Sequence, residues 1–487
     1  MPTPTTSRRR RAGLVALSAA AGLLLAGCGG SPQHPAALAT HACEVAGHAA
    51  RCGTLAVPED RTTGHGRTIP VRVVVVPATS PERAADPVVY LAGGPGDSAV
   101  DLIPQELPDL ADLNEHRDLV FVEQRGTGPS ALTCPTFPDS ADDPALPAAV
   151  TSCLDHLPGD LRFYTSAMYA DDVDQVLHEL HYATANLMGI SYGTAVAQVF
   201  LLRHPASVRT LILQSGSPLG LPVIARAPGS SQHALEDVFA RCASDTACAH
   251  AFPDLPGDWQ TLWAALGRSP WVLPAAASPS GEQVQLDQPT LAHAVYQALF
   301  AYQQRLVPVA VHTLATAADK TAAMLAVIAA GNGSPTGNPA NLALPYAVTC
   351  GEAWAADHAA ALAGQEGSFA YGIDLQAARW WDVVCPRVPT SAAAVGDLRP
   401  VPSSVPVLAF NGSSDPIEAP GNWSGAGATL RRSVDLVMPG QGHDIDSAAW
   451  VACPGRIVAD FVARADVSGL DTGCLAGMAP PFDLALP

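Results

Sequence analysis

Between residues 68 and 213 the apolar positions gather into short continuous runs. Thr68–Val76, Pro87–Ala92, Asp118–Glu123, Ala185–Met188 and Val208–Leu213 each have the length and β-branched content of a strand. Several of these runs are separated by segments with helical spacing. From Ser166 to Leu180 the residues Tyr169, Val173, Val176, Leu177 and Leu180 fall on one face, and Thr194–Leu202 is apolar until Pro205 ends it. Strands that are apolar on both faces and alternate with helices predict a mostly parallel sheet covered on both sides, an α/β fold.

After Gly216 the rhythm changes. Residues 219–395 read as helical over Ser231–Ala240, Asp258–Leu266, Thr290–Tyr302 and Leu306–Ala329, with a Gly/Asn/Pro loop at 331–339. This block holds Trp259, Trp263, Trp271, Trp354, Trp380 and Trp381, whose helical spacing suits core packing as well as a pocket wall. Strand patterns resume at Val405–Phe410 and Val434–Met438. The expected organisation is a sheet domain in two parts, 43–218 and 396–487, with a helical cap at 219–395.

The run Gly189-Ile190-Ser191-Tyr192-Gly193 is the one G-x-S-x-G in the chain, and it stands where a predicted strand turns into a predicted helix. That is the setting of a nucleophile elbow, in which a tight turn holds the serine strained and exposed. A serine hydroxyl needs a base, and the base needs an orienting acid. In the α/β-hydrolase chain order these follow the serine, on loops after late strands. Asp415 lies in the turn after Val405–Phe410, and His443 lies after Val434–Met438 as the sole histidine beyond Asp415. Glu418, Asp444 and Asp446 are neighbouring carboxylates that could take the acid's place. The oxyanion would be met by the Tyr192 amide and by an amide of the Leu91–Gly96 loop, for which Gly94 is the candidate. That loop lacks the G-x-G-x-x-G and G-K-[ST] patterns of a phosphate cradle.

The N-terminus reads as a processing segment. Arg8–Arg11 precede an apolar stretch from Ala12 to Ala26, and Leu25-Ala26-Gly27-Cys28 resembles a bacterial lipobox. The expectation is a signal peptide at 1–27, lipid on Cys28, a Pro/Ala/Ser tether over 28–42, and residence outside the cytoplasmic membrane. Without Cys28, ten of the eleven cysteines remain, in close successive pairs that suit local disulfides. No C-x-x-C spacing or histidine cluster suggests zinc, and no cofactor is expected. The net charge of -19, more negative still without the four leader arginines, excludes nucleic acid as a natural partner. Neither pattern nor composition bears on oligomeric state.

Taken together, Gly93-Gly94-Pro95-Gly96, Glu123-Gln124-Arg125-Gly126-Thr127-Gly128-Pro129-Ser130, the elbow at Ser191, Tyr346-Ala347-Val348-Thr349-Cys350, Asp415 and His443 resemble the proline-iminopeptidase-like α/β-hydrolases. The resemblance runs from about Cys52 to Cys474 and is greatest to exported actinobacterial tripeptidyl aminopeptidase lipoproteins. It implies removal of short peptides from a free N-terminus through a serine acyl-enzyme, with the cap limiting substrate length. Three departures stand out. Glu123 replaces the family's aspartate, Glu418 stands where a threonine is frequent, and Glu352 takes an aspartate's place after Cys350. Glu352 is the candidate partner for the substrate ammonium. The competing readings are an ester or small-amide hydrolase with the same triad, and a non-catalytic surface binding lipoprotein.

Overall fold

The computed structural model describes residues 37–63, 66–277, 281, 283–331, 342–352, 358–391, 398–400 and 402–486. The expected leader, Cys28, most of the tether, Trp354 and nearly all of the 331–339 loop lie outside the described residues.

Nine strands form one sheet: β1 (Thr40–Val45), β2 (His48–Pro58), β3 (Thr68–Val76), β4 (Val88–Leu91), β5 (Leu119–Val122), β6 (Ala185–Ile190), β7 (Val208–Gln214), β10 (Val407–Gly412) and β11 (Ser433–Met438). Their order is β1-β2-β3-β5-β4-β6-β7-β10-β11. The pairings from β5 to β11 are parallel, while β1/β2, β2/β3 and β3/β5 are antiparallel. β4 and β5 are buried at every position, as a sheet covered on both faces requires. Val73 and Val75 point into one apolar cluster and Val74 and Val76 into the other, the period of two expected of a strand. Helices Ser166–Glu179 and Tyr192–Arg203 cover the first face, and helix Pro454–Arg464 packs on the second.

The edge hairpin differs from expectation. Thr40 and His41, read as tether, belong to β1, which pairs with β2 through a two-residue turn in which both Ala46 and Gly47 have positive φ. Alanine in place of the usual Asn or Asp hides that turn in the sequence. The Cys43–Cys52 bridge ties the hairpin, and the four other successive pairs are also bridged: Cys134–Cys153, Cys242–Cys248, Cys350–Cys385 and Cys453–Cys474.

Between β7 and β10 the chain is mainly helical, with one small hairpin of β8 (Trp271–Leu273) and β9 (Val284–Leu286) that the apolar pattern did not announce. Leu235, Val238, Leu262, Leu266, Leu291, Val295 and Leu314 form an apolar cluster of this block's own. Leu344, Ala347 and Val348, by contrast, pack into the sheet's cluster. The single helix expected over 306–329 is two, Val307–Thr316 and Thr321–Gly331. Where the second helix begins, the Asp319 carboxylate accepts the Thr321 amide at 2.9 Å. Helix Gln288–Phe300 ends before Tyr302, which has a φ of 48°.

Candidate active site

The parallel strands all end on one side, and the loops that leave them there carry the chemistry. Ser191 follows β6 directly, with φ 52° and ψ -122°, a strained backbone for a residue with a side chain. The turn tolerates only glycine on either flank. A Cβ on Gly189 would lie 2.3 Å from the Gly193 carbonyl oxygen, and one on Gly193 would lie 2.1 Å from that of Leu91. The Ser191 amide donates to the Gln214 carbonyl at 2.9 Å, which fixes the elbow to the end of β7.

His443 reaches the elbow from the loop after β11. Its Nε2 lies 2.9 Å from Ser191 Oγ and its Nδ1 lies 2.9 Å from Asp415 Oδ2. Asp415 is 1% exposed, and its other oxygen accepts the amides of Ile417 (2.9 Å) and Glu418 (2.8 Å). The sequence-predicted acid, base and nucleophile are therefore brought together in the order Asp415, His443, Ser191. Burial disfavours the His443 imidazolium, but the charge and hydrogen bond of Asp415, with smaller contributions from Asp444 and Glu418, raise it to about 9. The loop is held from two sides. The Ser215 hydroxyl donates to the His443 carbonyl at 2.7 Å, and the Asp444 amide donates to the Phe300 carbonyl at 2.8 Å.

Gly93 and Gly94 line the same cavity as Ser191 and His443, whose volume is about 520 Å³. A Cβ on Gly93 would stand 3.3 Å from the Cβ of Ser191, so the glycine loop passes directly beside the nucleophile. Behind it, Glu123 accepts from Arg72 Nε (2.8 Å), Thr127 Oγ1 (2.7 Å) and Ser98 Oγ (3.2 Å), which ties the departure from aspartate to the loop that follows Gly96. Arg125 is fully buried and makes a two-pronged pair with Asp172, with 2.7 Å on each side.

The cavity wall contains what sequence reasoning missed. Asp97, Glu106, Asp109 and Asp444 all line it, and none of the described lining residues is a lysine or arginine. Burial and the charge of Asp444 push Asp97 up to about 6. Burial pushes Glu106 to about 7, helped by Asp109, Asp444 and Asp97 and opposed by a hydrogen bond from Tyr90. Asp97 Oδ1 is shut off from solvent and has no hydrogen-bond partner among the described residues. Asp97 had a signal, its place one residue after the glycine loop, and Asp444 adjoins His443; Glu106 had none.

Glu352 is not among the residues lining the cavity at Ser191. It is 1% exposed, and its oxygens accept from the Ser166 amide at 2.5 Å and the Ser166 hydroxyl at 2.7 Å. Its charge faces the N-terminus of helix Ser166–Glu179, where a buried carboxylate is stabilised by the helix itself. In the structure Glu352 thus holds a capping position at that helix N-terminus.

The sequence profile of the alpha/beta hydrolase fold matches residues 86–250, the stretch that contains β4, β5, β6 and Ser191. The chain has the α/β-hydrolase fold. The chain is 31% identical over 225 residues to carboxylesterase B of Mycobacterium tuberculosis strain H37Rv, a match covering 41% of this chain. The match spans 43% of that relative, less than half its length. Among solved structures, a proline iminopeptidase of Mycobacterium smegmatis aligns with TM-score 0.39 and 16% identity over 85% of this chain and 99% of that one. The naproxen esterase of Bacillus subtilis aligns with TM-score 0.34 and 15% identity over 85% and 91% of the two chains.

Proposed function

We propose that this α/β-hydrolase is an exported serine aminopeptidase that takes short peptides by their free N-terminus. Ser191 Oγ attacks the scissile carbonyl while His443 Nε2 accepts its proton, and Asp415 holds the imidazole and balances the imidazolium. The amides of Tyr192 and Gly94 receive the oxyanion. His443 then returns the proton to the leaving amine, and water repeats the sequence in reverse to release the acyl group.

The observation that carries the peptidase reading is the acid-lined cavity beside Ser191. Four carboxylates without a lysine or arginine among the lining residues repel one another, and a substrate ammonium relieves that repulsion. A neutral acyl ester gains nothing from such a wall. The ester-hydrolase reading is favoured by the carboxylesterase B relative. Tri-, di- and single-residue chromogenic amides, each with a free or an acetylated N-terminus, separate the two. Free-amine substrates should be cleaved at least tenfold faster than acetylated ones; equal or faster turnover of blocked substrates and acyl esters would remove the aminopeptidase.

Export with a lipid anchor on Cys28 is part of the same proposal. The five disulfides support an oxidising compartment. Metabolic labelling with a fatty-acid analogue tests it, since Cys28→Ala should abolish the label.

A further inference from the structure

Behind Asp415 stands a carboxyl group that the triad mechanism does not use. Glu418 is 7% exposed. Its Oε2 accepts a short hydrogen bond from the Ser217 hydroxyl and a longer one, 3.5 Å, from Asn422 Nδ2. Asn422 Nδ2 also donates to Ser217 Oγ at 2.9 Å, and its Oδ1 is held by Arg226 Nε at 3.1 Å. Fixed in this way, the amide of Asn422 presents a donor to Glu418. The backbone is locked as well, because the Glu418 carbonyl accepts from Asn411 Nδ2 (2.6 Å) and the Glu418 amide donates to Asp415 Oδ1 (2.8 Å).

Hydrogen bonds from Ser217 and Asn422 favour the ionised form of this carboxyl, while burial and the Asp415 charge oppose it. Leaving a charge there is costly unless something nearby profits from it. What stands nearby is the base. We propose that Glu418 is a positioning residue for the reaction: acting through the Asp415–His443 pair, its carboxylate adds a second negative charge that stabilises the imidazolium formed when Ser191 gives up its proton. The proton moves from Ser191 Oγ to His443 Nε2, and Glu418 neither gives nor takes one in that step.

The surroundings agree. Burial and the Asp415 charge push Glu418 up to about 7, against the pull of Ser217, His443 and Asn422, so its charge is present under mildly alkaline conditions, where the raised His443 is able to act as a base. The titratable groups facing it are Asp415 on its own loop, His443 after β11 and Tyr296 on helix Gln288–Phe300. Asp444 acts on His443, Asp374 on Tyr296, and Arg226 lies beyond Asn422. The negative charges that act on His443 are thus those of Asp415, Asp444 and Glu418. The contact it makes with Asp415 is through its backbone amide, which survives replacement of the side chain. Substitution therefore isolates the charge.

The inference rests on the catalytic reading of Ser191, and loss of turnover in Ser191→Ala tests that reading by itself. The test of Glu418 is the pH profile of kcat/KM for Glu418→Gln, which keeps shape and removes charge. In the wild type the rate rises with pH as His443 loses its proton. In Glu418→Gln that midpoint should move down by about one-half to one pH unit, because a negative charge no longer favours the imidazolium. The alkaline plateau should fall about three- to tenfold, because the same charge no longer favours the transition state. A lower plateau with an unmoved midpoint would make the role structural and overturn the proposal, as would an unchanged profile. Should Glu418→Gln fail to fold, Glu418→Thr, the residue type frequent at this position among the proteins the chain resembles, is read against the same two criteria.

Discussion

The ring of Phe300 lies against the imidazole of His443, with centroids 4.4 Å apart and planes inclined by 30°. Phe300 ends helix Gln288–Phe300 of the block inserted between β7 and β10, and its carbonyl accepts the amide of Asp444. The loop can approach this closely because Gly442 has no side chain; a Cβ there would stand 2.0 Å from the Leu299 carbonyl oxygen. The helical insertion is therefore part of what aims the base. Phe300→Ala should lower kcat by roughly fivefold, the rate equivalent of about 1 kcal/mol of lost ring packing. Steady-state kinetics check this, and Phe300→Tyr should retain most of the activity because it keeps the ring.

The two 2.9 Å contacts that join Ser191, His443 and Asp415 make one machine, and its members should not behave additively. Ser191→Ala and His443→Ala should each reduce kcat by at least about 10⁴-fold, and the double variant should be no worse than either. Asp415→Asn should also cost roughly 10⁴-fold, since the imidazole would be held in the wrong tautomer. A fluorophosphonate probe followed by peptide mapping should place its label on Ser191 in the wild type and nowhere in Ser191→Ala.

The sheet strands β3 to β7, β10 and β11 were readable because a two-sided sheet demands apolar runs, and the elbow was readable because its glycines and serine fall at a strand-to-helix junction. Asp415 and His443 followed from chain order alone. What escaped had no periodic signature. The β1–β2 hairpin turns on Ala46-Gly47, and the break between Thr316 and Thr321 falls within a stretch of helix formers. Glu106 enters the cavity from a four-residue helix, Ile103–Glu106, far from any motif. The orientation of Glu352 was also hidden, because a carboxylate beside a cysteine motif says nothing of which way it faces. It faces the amide of Ser166, 186 residues away in sequence.

The elbow glycines make a sharp stability prediction. Gly193→Ala forces a methyl group to within 2.1 Å of the Leu91 carbonyl oxygen, where neither strand nor helix can retreat without breaking the sheet. A loss of about 3 kcal/mol or more is expected, at the upper end of overpacking effects. Gly189→Ala should behave alike. Gly367→Ala, with nothing within 4 Å of the added carbon, should leave the denaturation midpoint unchanged. Chemical denaturation of the three variants compares them directly.

The acid wall should reveal itself as a trade between stability and substrate recognition. Asp97 and Glu106 are held up to about 6 and about 7, above the ordinary carboxyl range, so the folded protein binds their protons more tightly than the unfolded chain does. The stability tied to those protons is fully present below the unfolded pKa of about 4 and is lost as pH rises through 6 and 7. At pH 8 both groups are ionised and repel each other and Asp444. Asp97→Asn and Glu106→Gln should therefore raise Tm at pH 8 by roughly 1–3 °C, and that gain should vanish near pH 4. In the same variants the KM for free-amine peptides should rise about tenfold at pH 8, while the KM for acetylated substrates should shift far less, because only the ammonium uses the carboxylates. Differential scanning calorimetry at the two pH values, paired with kinetics on both substrate sets, reads both halves. A destabilised Asp97→Asn at pH 8, or an equal rise in KM for blocked and free substrates, would show that the wall serves the fold rather than the substrate.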